Sequence, residues 1–81
     1  MEDSFKIEII TPEKIIFSEE ITMATLPSYE GDMSILKNHI SIITFLRPGI
    51  IKVQKKDEKF EEFFVQDGTV EYFDDSLVVL S

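Results

Sequence analysis

Phe5, Ile7 and Ile9 alternate with Lys6 and Glu8 near the head of the chain. A period of two places one set of side chains on each face of an extended backbone, so the segment is predicted as a half-buried strand. Thr11-Pro12-Glu13-Lys14 closes it as a turn, because proline holds φ and has no N–H to donate. Ile15-Ile16-Phe17 reads as a very short second strand, broken by Ser18-Glu19-Glu20. In the next strand Ile21, Met23, Thr25 and Pro27 share one face and Thr22, Ala24 and Leu26 the other, so both faces are largely apolar. Glu30-Gly31-Asp32 is a turn signal. Residues 33–36 form another short strand, interrupted by Lys37-Asn38-His39. Residues 40–46 are apolar and rich in β-branched side chains, and Arg47-Pro48-Gly49 ends them as a turn. Strands over 50–55 and 60–66 flank a charged hairpin loop at 56–59. Asp67-Gly68 reads as a hairpin turn. Residues 69–73, the acidic turn Asp74-Asp75-Ser76 and a last strand over 77–80 complete the chain.

The pattern predicts about ten short strands and no helix worth the name, and many short antiparallel strands in one domain make a sandwich or a barrel. A small all-β sandwich of two antiparallel sheets is favoured, because several strands are apolar on one face only. Phe5, Ile7, Ile9, Phe63, Val65, Val70 and Leu80 are its expected core. No composition shift or linker divides residues 1–81, so they are read as one domain.

Composition narrows the function. The chain has 81 residues, 43% of them hydrophobic, with seven Phe, three Gly and three Pro, which is not the make-up of a disordered tail. Zero cysteines remove disulfides, thiolate metal sites and a thiol nucleophile. Sixteen acids against eight Lys and Arg leave a formal charge of -8, which repels nucleic acid and anionic lipid. Lys52, Lys55, Lys56 and Lys59 sit among Asp57, Glu58, Glu61 and Glu62, so no basic cluster forms. No apolar run approaches the ~20 residues of a membrane-spanning helix. The acidic start, Met1-Glu2-Asp3-Ser4, argues against a signal or transit peptide.

Catalytic chemistry is poorly supported. His39 is the sole histidine; Asn38 and Ser41 lie beside it, but no spacing shows a nucleophile, base and orienting group converging. It is better read as a loop histidine that makes a backbone hydrogen bond or a partner contact. Asp67, Asp74 and Asp75 do not follow a calcium-loop pattern, and one histidine does not make a zinc site. Gly31, Gly49 and Gly68 are isolated, so there is no glycine-rich phosphate cradle. Tyr29, Met33, Ile35, Leu36, Ile40 and Ile42 stand out as apolar residues around loops, which either complete the core or form a docking face. The residues alone therefore point to an acidic β domain that binds or assembles.

The order of the turn signals carries a resemblance. Thr11-Pro12-Glu13-Lys14 followed by Ser18 resembles the "TPE…(F/Y)SG" opening of the epsilon subunit of bacterial rotary ATP synthase, called delta in mitochondria. Residues 30–39, Glu30-Gly31-Asp32-Met33-Ser34-Ile35-Leu36-Lys37-Asn38-His39, are similar to that family's "EGDFGVLPGH" loop. Thr44-Phe45-Leu46-Arg47-Pro48-Gly49 is similar to "T.LRPG". Phe64-Val65-Gln66-Asp67-Gly68-Thr69-Val70-Glu71 resembles "FFV.GG..EV", and Leu77-Val78-Val79-Leu80 resembles "(V)TVLA". The departures are Ser34 for Gly, Lys37-Asn38 for Pro-Gly, Ile40-Ser41 for Ala-Pro, Thr69 for the second Gly of a pair, and Glu19 for Gly. Asn38 tolerates the left-handed conformation that a glycine there would adopt. Loss of both prolines leaves the loop less pre-set.

The resemblance implies a non-catalytic rotor part of the central stalk, without cofactor or metal, that links the gamma subunit to the c-ring and helps couple proton (or sodium) flow to ATP synthesis. It implies a peripheral position at the cytoplasmic face of the bacterial inner membrane, with no direct membrane insertion and no nucleic-acid partner. Glu30, Gly31 and Asp32 match the loop that faces the c-ring. Leu36, His39 and Ile40 match positions at or near gamma, as do Pro48, Gly49 and Ile50. Family members continue into a two-helix hairpin, so residues 1–81 are expected to be the amino-terminal sandwich with the C-terminal hairpin absent and without its inhibitory contact. The alternative is a stand-alone β-sandwich module for protein or ligand, for which Tyr29 and Tyr72, with no Trp, make a poor sugar platform.

Overall fold

In the computed structural model, which describes residues 3–81, the predicted alternation builds strand after strand. Of the acidic start, Met1 and Glu2 lie outside the described residues. Eight strands follow in chain order: β1 (Phe5–Ile10), β2 (Ile15–Ser28), β3 (Gly31–Leu36), β4 (Ile42–Leu46), β5 (Gly49–Lys55), β6 (Phe60–Val65), β7 (Gly68–Phe73) and β8 (Ser76–Leu80). No helix occurs among the described residues. The count is eight against an expected number of about ten, and one of the expected breaks, Ser18-Glu19-Glu20, does not interrupt its strand. Those three residues pair with Glu8, Ile7 and Lys6 of β1, and backbone pairing does not require apolar side chains.

β2 belongs to two sheets. Residues 15–21 pair with β1, whereas the second half lies between β3 and β5. Sheet one thus runs β3-β2-β5-β6, and sheet two runs β2-β1-β8-β7-β4. At its end β2 reaches sheet two again, where Ser28 pairs with Leu46. The changeover falls at a bulge between Ile21 and Met23, which shifts the side-chain phase by one residue. Ile21, Ala24 and Leu26 are therefore buried while Met23 and Thr25 are only half-buried, in place of the expected single face of Ile21, Met23, Thr25 and Pro27.

Two other expectations are corrected. The sheets are not wholly antiparallel, since β1 and β8 pair in parallel. Almost the whole chain lies between those two strands, more than enough for the crossover that a parallel pair needs. Asp67-Gly68 is not a hairpin either: β6 pairs with β5, while β7 pairs with β4 and β8, so this dipeptide carries the chain from one sheet to the other.

The core lies between the sheets. Phe5, Ile7 and Ile9 of β1 meet Ile51 and Val53 of β5, Val65 of β6, Val70 and Tyr72 of β7, and Leu77 and Val79 of β8. Leu80 is half exposed, contrary to the expectation, because the register pairs it with Thr69 on the outer face and leaves Val79 opposite Val70 on the inner one. Phe63 is half-buried at the core margin. Of the loop-flanking apolar residues, Ile35 is core, Met33 and Ile42 pack against it, and Tyr29, Leu36 and Ile40 are exposed.

One open side of the sandwich brings the first half of β2 against β6. Phe17 meets Phe63 there. Glu19 stands opposite Ile7 and Glu61 opposite Val53, so both acids lie on the inward side of an edge. Lys55 Nζ lies between them, 3.7 Å from Glu19 and 3.4 Å from Glu61. Glu61, then Glu19, hold the Lys55 ammonium above its usual pKa. Inward charges on an edge strand discourage pairing with another chain.

Candidate functional site

Strand register sorts the sequence-predicted residues into two groups. Gly31 and Leu36 are the two ends of β3, which separates the groups by roughly 17 Å at a strand's rise per residue. Glu30, Gly31, Asp32, Pro48, Gly49 and Ile50 lie together at one end. Leu36, His39 and Ile40 lie at the other. The structure thus sets Pro48, Gly49 and Ile50 beside the acidic turn and apart from His39.

At the first end, Ser28 and Gly31 pair across the β2–β3 turn, with Gly31 at φ +115, a backbone state that suits glycine. The buried Ser28 hydroxyl shares a hydrogen bond of 3.0 Å with Thr44 and accepts the Glu30 N–H at 3.1 Å. Arg47 donates to Asp32, and the Arg47 N–H donates to the Pro27 carbonyl at 2.9 Å. Gly49 sits tight against Pro27, where an added Cβ would be 3.0 Å from the proline Cβ. The turns 29–32 and 47–49 are therefore one unit, with Glu30 exposed and Asp32 held by Arg47.

At the other end, the loop between β3 and β4 carries His39. Asn38 adopts φ 68, as expected of an asparagine standing where the resembling motif has glycine. The His39 ring is half-buried and meets the Tyr72 ring edge-on at 5.8 Å. Its Nδ1 donates to the Ile40 carbonyl at 2.7 Å, so in the neutral ring Nε2 is the acceptor. Tyr72 is buried and donates its hydroxyl to Asp75 at 2.7 Å. Burial, and then that hydrogen bond, push the Tyr72 phenol up to about 12. The Tyr72 hydroxyl, followed by the Asn38 N–H, holds the Asp75 carboxyl below the usual carboxylate range.

A third feature was not singled out in the sequence. On the outer face of sheet two, the register aligns Phe45, Thr69, Leu80, Ile10 and Ile15 in a row across five strands. Ile43 and Val78 flank Glu71 in the next row. Ile43 and Phe45 are 73% and 64% exposed, so this sheet presents apolar side chains to both sides. The signal was present in residues 40–46 and 77–80, which are nearly continuous apolar runs: in a two-layer fold such a strand has only one face to bury.

The arrangement suits contact better than chemistry. His39 has an aromatic ring and a backbone carbonyl for neighbours, and Asp75 is engaged by two donors. Among the described residues no three His, Asp or Glu side chains converge as a metal site.

The family model for the ATP synthase delta/epsilon chain, β-sandwich domain, matches residues 4–81. The ATP synthase epsilon chain of Pelagibacter ubique is 49% identical over all of this chain and 62% of its own length. That of Sulfurimonas denitrificans is 37% identical, over 93% of this chain and 58% of its own. The chain thus spans about three-fifths of the length of these curated relatives. In fold, it matches a chain of the Euglena gracilis mitochondrial ATP synthase with a TM-score of 0.92 at 19% identity, covering 100% of this chain and 52% of that one. A chain from the central stalk and c-ring structure of the Tetrahymena thermophila enzyme matches with a TM-score of 0.76 at 17% identity, over 93% of this chain and 60% of that one.

Proposed function

The chain belongs to the ATP synthase delta/epsilon-chain β-sandwich family, and from that membership we propose that it is a non-catalytic part of the rotor. It joins the gamma subunit to the c-ring and helps couple proton (or sodium) translocation to ATP synthesis. The observation that carries this reading is the family match along residues 4–81. The two-ended geometry supports it. The acidic turn with Glu30 and Asp32 meets the polar loops of the c-ring, where complementary charge fixes register more than it adds affinity. The His39 loop and the apolar outer face of sheet two meet gamma, since an exposed apolar face of this kind is characteristic of a lasting protein contact.

The domain works as a peripheral component at the cytoplasmic face of the bacterial inner membrane, held there through its partners. Among the described residues no helix is long and apolar enough to cross a membrane. It takes no cofactor and hydrolyses no ATP itself.

A pull-down with the gamma subunit and c-ring of the same organism tests the proposal. The domain is expected to be retained by gamma and by a gamma–c-ring complex, at low and at physiological salt. Retention by neither removes the reading. Hydrolysis of ATP by the domain alone would remove its non-catalytic part.

A further inference from the structure

The 37–40 loop crosses from sheet one to sheet two and carries Lys37-Asn38 where the resembling motif has Pro-Gly. Without proline the loop is less pre-set in the unfolded chain; within it the His39 N–H donates to the Leu36 carbonyl at 3.1 Å, and a second hold comes from outside. The β7–β8 turn reaches it from the neighbouring sheet. Asp74 and Asp75 both have positive φ, 53 and 59, as the two central residues of a tight hairpin whose flanks Phe73 and Ser76 are paired. In that turn Asp75 is fixed at its backbone, because its carbonyl accepts the Lys6 N–H at 3.2 Å. One carboxylate oxygen, Asp75 Oδ1, accepts both the Asn38 N–H at 3.0 Å and the Tyr72 O–H at 2.7 Å. Tyr72 is clamped in the core, with Phe5 edge-on at 5.7 Å and His39 at 5.8 Å.

We propose that Asp75 is the positioning residue of the His39 loop, a latch that ties the loop at Asn38 to the buried Tyr72 through a single carboxylate oxygen. Asn38 and Asp75 are 37 residues apart in sequence, and the packing of the two sheets brings them together. The latch is ionic. Lys37 is the cation that bears on Asp75 from the loop side, Lys6 donates its backbone N–H from the adjacent strand, Asp74 precedes it in the turn, and Tyr72, with His39 against its ring, faces it from the core. An ionised acceptor makes a stronger hydrogen bond than a neutral one, so the latch holds while Asp75 is charged. Asp75 is held below the usual carboxylate value of 3.8, so the hold is lost only as pH falls through that lowered value.

That the loop matters for gamma rests on the proposed function; the latch itself does not. Amide hydrogen exchange on the domain alone reads the latch directly. Asp75→Gly keeps the positive-φ turn and removes the carboxylate. It is expected to speed exchange at Asn38 by about tenfold or more, while core amides such as Val70 stay within about twofold. Asp75→Asn keeps an oxygen acceptor without the charge and should restore only a minor part of the Asn38 protection at neutral pH. Tyr72→Phe tests the second arm, leaving Asp75 less restrained and Asn38 exchange intermediate. In the wild type, Asn38 protection corrected for intrinsic exchange should fall in acid below pH 3.8, whereas Asp75→Asn should show no such step. Unchanged Asn38 exchange in Asp75→Gly overturns the latch. Titration against gamma separates the two ideas. If the loop loosens in Asp75→Gly and gamma still binds as before, the latch stands and the assignment of the loop to gamma fails.

Discussion

Phe17 and Phe63 bring their rings within 4.8 Å of each other across the open side of the sandwich. One belongs to the β2 edge of sheet two and the other to the β6 edge of sheet one. Just beyond them Lys55 bridges Glu19 and Glu61. The aromatic pair is therefore the apolar part of this closure and the ion pairs its wet rim. Phe63→Ala should cost about 2–3 kcal/mol, at or below the bottom of the usual range for a core phenylalanine because the ring is half-buried. Urea unfolding reads this directly. Phe63→Leu, which keeps most of the volume, should cost less than half as much; equal losses would mean that shape rather than buried volume holds the edge.

Gly68 stands where the chain passes between the sheets. A Cβ added there would lie 2.1 Å from the Leu80 carbonyl oxygen, which belongs to the backbone and has no side-chain freedom to move away. Gly68→Ala is expected to destabilise by about 3 kcal/mol or more. Gly31 has open space around its Cβ position and only its φ of +115 to oppose a side chain. Gly31→Ala should therefore cost about 1–2 kcal/mol. The order of the two melting temperatures checks the argument.

Ser28 joins the end of β2 to β4. Its replacement by Ala removes the 3.0 Å hydrogen bond to Thr44 and the acceptor for the Glu30 N–H. A loss of about 1–2 kcal/mol is expected, since Thr44 is left buried with one partner fewer. Exchange of the Glu30 amide should quicken more than that of the core, because the same hydroxyl holds the acidic turn.

Tyr72 makes stability fall in alkali. Its phenol is raised from 10.0 to about 12 in the folded protein, chiefly by burial. Between those values the folded chain holds a proton that the unfolded chain releases, so stability declines as pH rises above 10.0 and levels off near 12. The full loss is about 2–3 kcal/mol. The difference between wild type and Tyr72→Phe, followed by urea unfolding over this range, isolates the effect from the lysines that titrate with it. A difference independent of pH would show that Tyr72 ionises as freely folded as unfolded.

At the proposed gamma contact, His39→Asp places a carboxylate beside Asp75, which already accepts from the preceding residue. Glu30→Lys reverses an exposed charge at the far end. His39→Asp should weaken gamma binding at both low and physiological salt. Glu30→Lys should leave gamma affinity within about threefold. Wild-type affinity in His39→Asp at both salts would place the loop outside the gamma contact.

Strands were legible in the sequence because alternation is local. Phe5, Ile7 and Ile9 declare an inner face from spacing alone, and Arg47-Pro48-Gly49 and residues 56–59 declare the turns around it. Family motifs in series extended that reading from fold to family. What the chain could not declare is which strands pair. Asp67-Gly68 has hairpin chemistry, yet its flanking strands belong to different sheets. Ile21 and Met23 are two apart and would share a face in a regular strand, but the bulge that turns β2 from one sheet into the other shifts the phase between them. Leu80 and Val79 are both apolar, and only their register against Thr69 and Val70 decides which one is buried. Asp75 looks like one acid in an acidic turn, and it becomes the anchor of Asn38 only when β8 lies beside β1 and the β7–β8 turn reaches the β3–β4 loop. Local spacing determines which faces a strand has. Long-range pairing determines what each face meets, because that choice is made by the packing of two sheets and not by any neighbour in the chain.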